Sequence, residues 1–174
     1  MRGLTYEECA RWCSAHGYPV TEGRGRPAPA ARKSYRRIDL AYPADSGRKV
    51  ELARAVVRWM VASGDLLIWI ADWAVWPSSQ HMPLFTRFRE AFGEDRPLIE
   101  APGHLINKEQ ADDATSILAV ALLFVWDCHV FTATRGPVFF CSHDEVCSFL
   151  VPSDADIRLV SDTFESWLPG RKRA

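Results

Sequence analysis

The short motifs that announce enzyme chemistry are missing from this chain. No GxGxxG or GxxxxGK[ST] is present to cradle a nucleotide's phosphates, no GxSxG to raise a nucleophilic serine, and no HExxH or HxH to grip a catalytic metal. The five cysteines, at 9, 13, 128, 141 and 147, form no CxxC and no paired zinc spacing. An odd count, with two in a strongly apolar stretch, reads as reduced thiols of a cytoplasmic protein. Cys9 and Cys13, one helical turn apart, read as small semi-apolar residues of a helix face. Charge of one sign is also missing: 21 basic residues against 22 acidic leave a net −1. That balance favours neither a general nucleic-acid binder nor a strongly acidic mimic. The longest apolar run, Ile117–Trp126, has ten residues, against the roughly 20 that span a bilayer. Tyr6-Glu7-Glu8 interrupts any signal-peptide pattern at the N-terminus. A soluble, cytoplasmic protein without a cofactor is expected.

Aromatic residues are plentiful, with seven Trp and nine Phe, and a well-packed core follows. Thr5-Tyr6-Glu7-Glu8 is a capping box that opens a first helix within residues 1–20. Residues 21–34 hold Gly, Pro, Ala and Arg with no larger aliphatic side chain, and read as a mobile linker. In the body, residues 35–170, Arg36–Tyr42 alternates as an edge strand. Ser46 caps a helix whose stripe is Val50, Ala53, Val57, Met60 and Val61, and Leu66–Ile70 is a buried strand. This strand–helix–strand order predicts a βαβ unit with parallel strands. Ser79 caps a further helix with Leu84, Phe85, Phe88 and Phe92 on one face, and Glu94–His104 reads as a loop. Asn107 to Gln110 is a second capping box. The last helix starts near Ser153, and 171–174 is a frayed basic tail. The expected fold is α+β, or α/β. It is one domain over 1–174, with a mixed sheet of about four strands, one βαβ unit and a C-terminal hairpin, and helices packed on the sheet.

That hairpin carries the densest chemistry. Leu122–Thr132 is apolar on both faces except at Asp127 and His129, as a central strand would be. Arg135-Gly136-Pro137 breaks the pattern and Val138–Cys141 resumes it. With a three-residue loop, His129 faces His143 and Asp127 faces Glu145, a quartet on one face with Asp144 beside it. With a two-residue loop, Asp127 faces Asp144 instead. Such a cluster can run acid–base chemistry or, through His129 and His143, hold a divalent metal. No fixed-spacing motif supports that, and no metal is expected; strand-end imidazoles and carboxylates more often tie down loops.

Three other stretches stand out. Asp72–His81 follows a strand's carboxyl end, where ligands tend to bind, with Ser78 and Ser79 before a helix. Pro102-Gly103 can present His104 in a turn. Arg24, Arg26, Arg32, Lys33, Arg36 and Arg37 form a basic segment that can contact phosphates, although only Tyr35 offers a base a stacking partner.

WPSSQHMPLF, RPLIEAPGH and the pair WDC and SHDE resemble segments of small bacterial α/β proteins of the immunity type, across about Leu67–Phe149. The resemblance implies a protein that neutralises a toxin encoded beside it, by binding. A non-catalytic binder with a toxin-like protein partner is therefore the leading expectation. Trp73, Trp76, Ser78, Ser79, His81 and His104 are its candidate contacts. A metal-assisted hydrolase built on the hairpin quartet is the alternative. A nucleic-acid accessory protein using residues 24–37 is the third reading, and the charge balance weighs against it.

Overall fold

A computed structural model describes residues 1–23, 26–30, 35–73 and 78–170. In chain order the elements are β1 (Arg2–Leu4), α1 (Tyr6–Ala15), β2 (Val20–Gly23), β3 (Arg26–Pro29), β4 (Arg36–Leu40), α2 (Ser46–Val61), β5 (Leu66–Asp72) and α3 (Met82–Glu90). There follow β6 (Gly103–Ile106), α4 (Ala111–Leu123), β7 (Asp127–Thr132), β8 (Val138–Ser142), β9 (Val146–Val151) and α5 (Asp154–Thr163). No described helix is long and apolar enough to cross a membrane.

Seven strands form one sheet in the order β1-β6-β5-β7-β8-β9-β4, and every neighbouring pair is antiparallel. About four strands were expected from the sequence, so that number is corrected upward. β1 and β6 are too short to show an alternation, and β9 is buried at four of its six positions, which hides its period. The expected βαβ unit is also corrected. β4 and β5 point the same way and are joined through α2, but β7, β8 and β9 lie between them. The crossover is split and no parallel pair forms.

Each face of the sheet has its own apolar layer. On one side α2 and α4 pack Leu52, Val56, Ile117 and Leu118 over Ile68, Ile70, Val130 and Phe139. The α2 stripe is rotated from the expected one: Leu52 and Val56 are buried, while Val50 and Val61 only border the core. Asp45, not Ser46, caps this helix, accepting from Arg48 N at 2.8 Å. On the other side α1 lays Cys9 and Cys13 against Leu67, Trp69 and Phe131. The Thr5–Glu8 capping box that starts α1 is formed in both directions, at 2.8 and 3.3 Å. All five cysteines are free and buried. The expected linker at 21–34 contains an antiparallel ribbon of β2 and β3.

The run Ile117–Leu123, expected to lead into a strand, is helical. A helix wedged between another helix and a sheet is apolar all round, and its period disappears. α4 ends in a Schellman arrangement, in which Trp126 N donates to Ala121 O at 2.9 Å. The residue that must turn left-handed there is Val125, at φ 58°. That is a costly place for a β-branched side chain.

Candidate functional site

The hairpin register decides which candidate residues meet. Cys128 faces Cys141, His129 faces Phe140 and Val130 faces Phe139. Both sequence-based registers are therefore corrected, and the connection is wider than three residues. The cause lies far away in the chain. Ala133 N donates to Asp65 O and Thr134 Oγ1 to Ser63 O, which draws the loop toward β5. The Tyr18 hydroxyl, just past α1, meets Thr132 O, Thr134 O and Gly136 N at 3.0–3.1 Å.

This register splits the quartet in two. At the sheet end, Asp127 Oδ1 accepts from His143 N at 2.8 Å and lies 2.8 Å from the ring Nδ1. His143 sits in the three-residue β8–β9 turn, whose last residue, Glu145, has φ 57°. Asp144 Oδ1 lies 3.7 Å from His143 Nε2, and Asp72 is register partner to Asp127. The Asp127 hydrogen bond and charge, then Asp144 and Asp72, hold the His143 ring above the usual histidine range. Two non-glycine residues in left-handed backbone, Val125 and Glu145, flank the pair. Asp144 and Glu145 are exposed, and Glu145 does not pair with Asp127.

His129 is separate from this cluster. It stacks beside Phe131 and Phe140 over a cavity on the α1 side of the sheet. Burial pushes its imidazole down to about 3, and its Nδ1 has no hydrogen-bond partner. Among the described residues no group of three or more His, Cys, Asp or Glu side chains is arranged to hold a metal ion. The quartet therefore does not assemble as a ligand set.

The other candidates scatter. His104 is not presented in a turn. It is a strand residue in β6, opposite Ile68, fully buried and edge-on to Phe85. Burial and the Arg89 guanidinium push its ring down to about 3. Surface contact through His104 is thereby corrected. Gly103 explains why a strand runs there: an added Cβ would lie 2.2 Å from Cys9 Sγ, so only glycine fits under α1. Ser78 and Ser79 lie in a 3-10 turn running to His81, and α3 begins only at Met82, so Ser79 is not its N-cap. His81 is exposed and stacks on Phe124 at 4.1 Å, while Trp73 borders the helix-side core. Trp76 lies outside the described residues, as do Arg24, Arg32 and Lys33 of the basic segment. Arg36 pairs with Asp154 and Arg37 with Asp39, both at 2.6 Å, which neutralises two of its described cations.

Sequence reasoning missed two features of this region. Leu84, expected on the buried face of α3, is 65% exposed, and Arg89 is buried in its place. Arg89 donates to Arg96 O and Ala101 O, both at 2.8 Å, and fixes the loop after α3. Four phenylalanine and leucine positions outweighed one arginine in the periodicity. The cavity beside His129 was also missed, because its walls come from segments over a hundred residues apart. No protein family, curated protein or solved structure matches this chain.

Proposed function

We propose that the chain is a non-catalytic protein-binding protein of the toxin-neutralising kind. Its binding face would be the sheet end around Asp127 and His143, together with the segment His81–Leu84. The observation that carries this reading is Leu84, a large apolar side chain held 65% exposed. It lies one turn beyond His81, which stacks on Phe124 where α4 hands over to β7. Single exposed apolar residues are ordinary. Its neighbour His81, three residues earlier, is held at the corner that leads into Asp127. The Asp72–Asp127 pair and the exposed Asp144 and Glu145 supply a rim of carboxylates there. An apolar anchor with a charged surround has the anatomy of an interface, and a carboxylate rim steers a basic partner.

The Asp127–His143 pair has a positioning part in this reading. Asp127 Oδ1 takes the backbone N–H of His143 and lies 2.8 Å from its ring Nδ1, so the pair holds the β8–β9 turn against β7.

The test is affinity purification of the tagged full chain from its native host, beside Leu84→Asp. One stoichiometric protein partner is expected on the wild type and at least about tenfold less on the variant, the size of a lost interface anchor. Co-expression with that partner, if it is toxic, should restore growth. Absence of any stoichiometric partner sinks the function, whereas full retention by Leu84→Asp sinks only the assigned face.

A further inference from the structure

A cavity of about 240 Å³ lies on the α1 side of the sheet. Its floor is a cross-strand row, His129 on β7, Phe140 on β8 and Ser148 on β9, each opposite the next. Tyr18, Pro19, Pro29, Ala30 and Tyr35 wall it from the N-terminal side. Arg37 also lines it, already paired with Asp39 at 2.6 Å.

Three of its lining residues carry a buried polar atom with no hydrogen-bond partner among the described residues: Tyr35 Oη, His129 Nδ1 and Ser148 Oγ. Ser148 itself is fully buried. A folded protein rarely leaves such groups unmatched, and here three of them gather around one space. The contrast with Tyr18 is informative. It lines the same space, but its hydroxyl is consumed by Thr132, Thr134 and Gly136. Other buried orphans, including Trp126 Nε1 and both His104 nitrogens, do not line this cavity.

We propose that this cavity binds a small, neutral aromatic molecule carrying a hydrogen-bonding substituent, such as a phenol. Aromatic character follows from the walls, where Tyr18, Tyr35, Phe131, Phe140 and the His129 ring offer faces and edges. Neutrality follows from the charges: Arg37, the one cation among the described lining residues, is matched by Asp39, and burial holds the His129 ring in its neutral form. An ionic ligand would lose its hydration without a counter-charge. Size follows from the volume. Benzene fits a cavity of about 150 Å³ in another protein, so 240 Å³ accepts one ring and a short substituent. The substituent would meet Ser148 Oγ, Tyr35 Oη or His129 Nδ1, each of which can donate or accept.

The test uses the full chain with p-cresol and with toluene, which has nearly the same shape but lacks the hydroxyl. Binding is read by backbone amide shifts and calorimetry. Saturable p-cresol binding is expected, at least about fivefold tighter than toluene, because a site built to hydrogen-bond a hydroxyl rejects the analogue without it. The shifted amides should include Phe140 and Ser148. Ser148→Ala and Tyr35→Phe should each weaken p-cresol by about five- to tenfold and leave toluene unchanged. If neither compound saturates, or if both bind equally and Ser148→Ala changes nothing, the proposal is overturned and the orphan atoms are satisfied by water alone. If the variants fail to fold, the cresol-to-toluene ratio on the wild type decides, with shifts located elsewhere counting against the site.

Discussion

His143 gains its character chiefly from one neighbour, Asp127. Asp127 receives both the backbone N–H and the ring Nδ1 of His143 on one carboxylate oxygen. Because the ring's folded-state pKa is raised, the pair's contribution to stability is complete below the ordinary histidine value of about 6.5. That contribution fades as pH rises through the folded value. Asp127→Asn should therefore lower the His143 pKa toward the ordinary value, read by NMR titration of its ring protons. An unchanged titration would remove Asp127 as the cause. The sequence brought these two residues together as candidates, but for a register that does not form. The actual contact comes from the β8–β9 turn reaching back to the start of β7. Burial of His129 and His104 was not legible, because a polar residue gives no local sign that distant segments will cover it.

Caps were partly legible at the level of the element, because a cap is a contact within four residues. Thr5 with Glu8 forms as its spacing implies and the last helix starts at Ser153, whereas Asp45 takes the place of Ser46 and Ser79 caps no helix. The end of α4 was illegible for the opposite reason. No glycine marks it, and Val125 occupies the left-handed position that glycine usually fills. A non-glycine residue there costs about 1–2 kcal/mol. Val125→Gly should accordingly stabilise the fold by about 1 kcal/mol, after the extra backbone freedom of glycine is counted. A calorimetric melt should rise by about 2–4 °C. A lower melting temperature would mean that the half-buried valine side chain contributes more than its backbone costs.

Across the whole molecule, the N-terminal segment is part of the sheet's second core rather than an appendage. β1 pairs with β6, and Arg96 Nη2 donates to Gly3 O at 3.0 Å while holding Glu94 at 2.6 Å. The close approach of α1 to β6 depends on Gly103. Gly103→Ala should push Cys9 away and destabilise the protein by about 1–3 kcal/mol, the usual cost of overpacking. Adding Cys9→Ala should recover part of that loss in urea melts, and no recovery would deny the contact. The class of fold, helices on a sheet, was readable from patterning. The sheet order was not, since strand adjacency depends on long-range pairing that alternation does not encode.

The split crossover also constrains how the chain acquires its shape as it is made. β4, α2 and β5 emerge from the ribosome early, yet the strands that fill the gap between them are β7, β8 and β9, which come last. Until those arrive, one flank of β5 and the only paired flank of β4 are open ladders, exposed to other chains. Such long-range closure makes for slow folding and a window in which the nascent chain is vulnerable to aggregation.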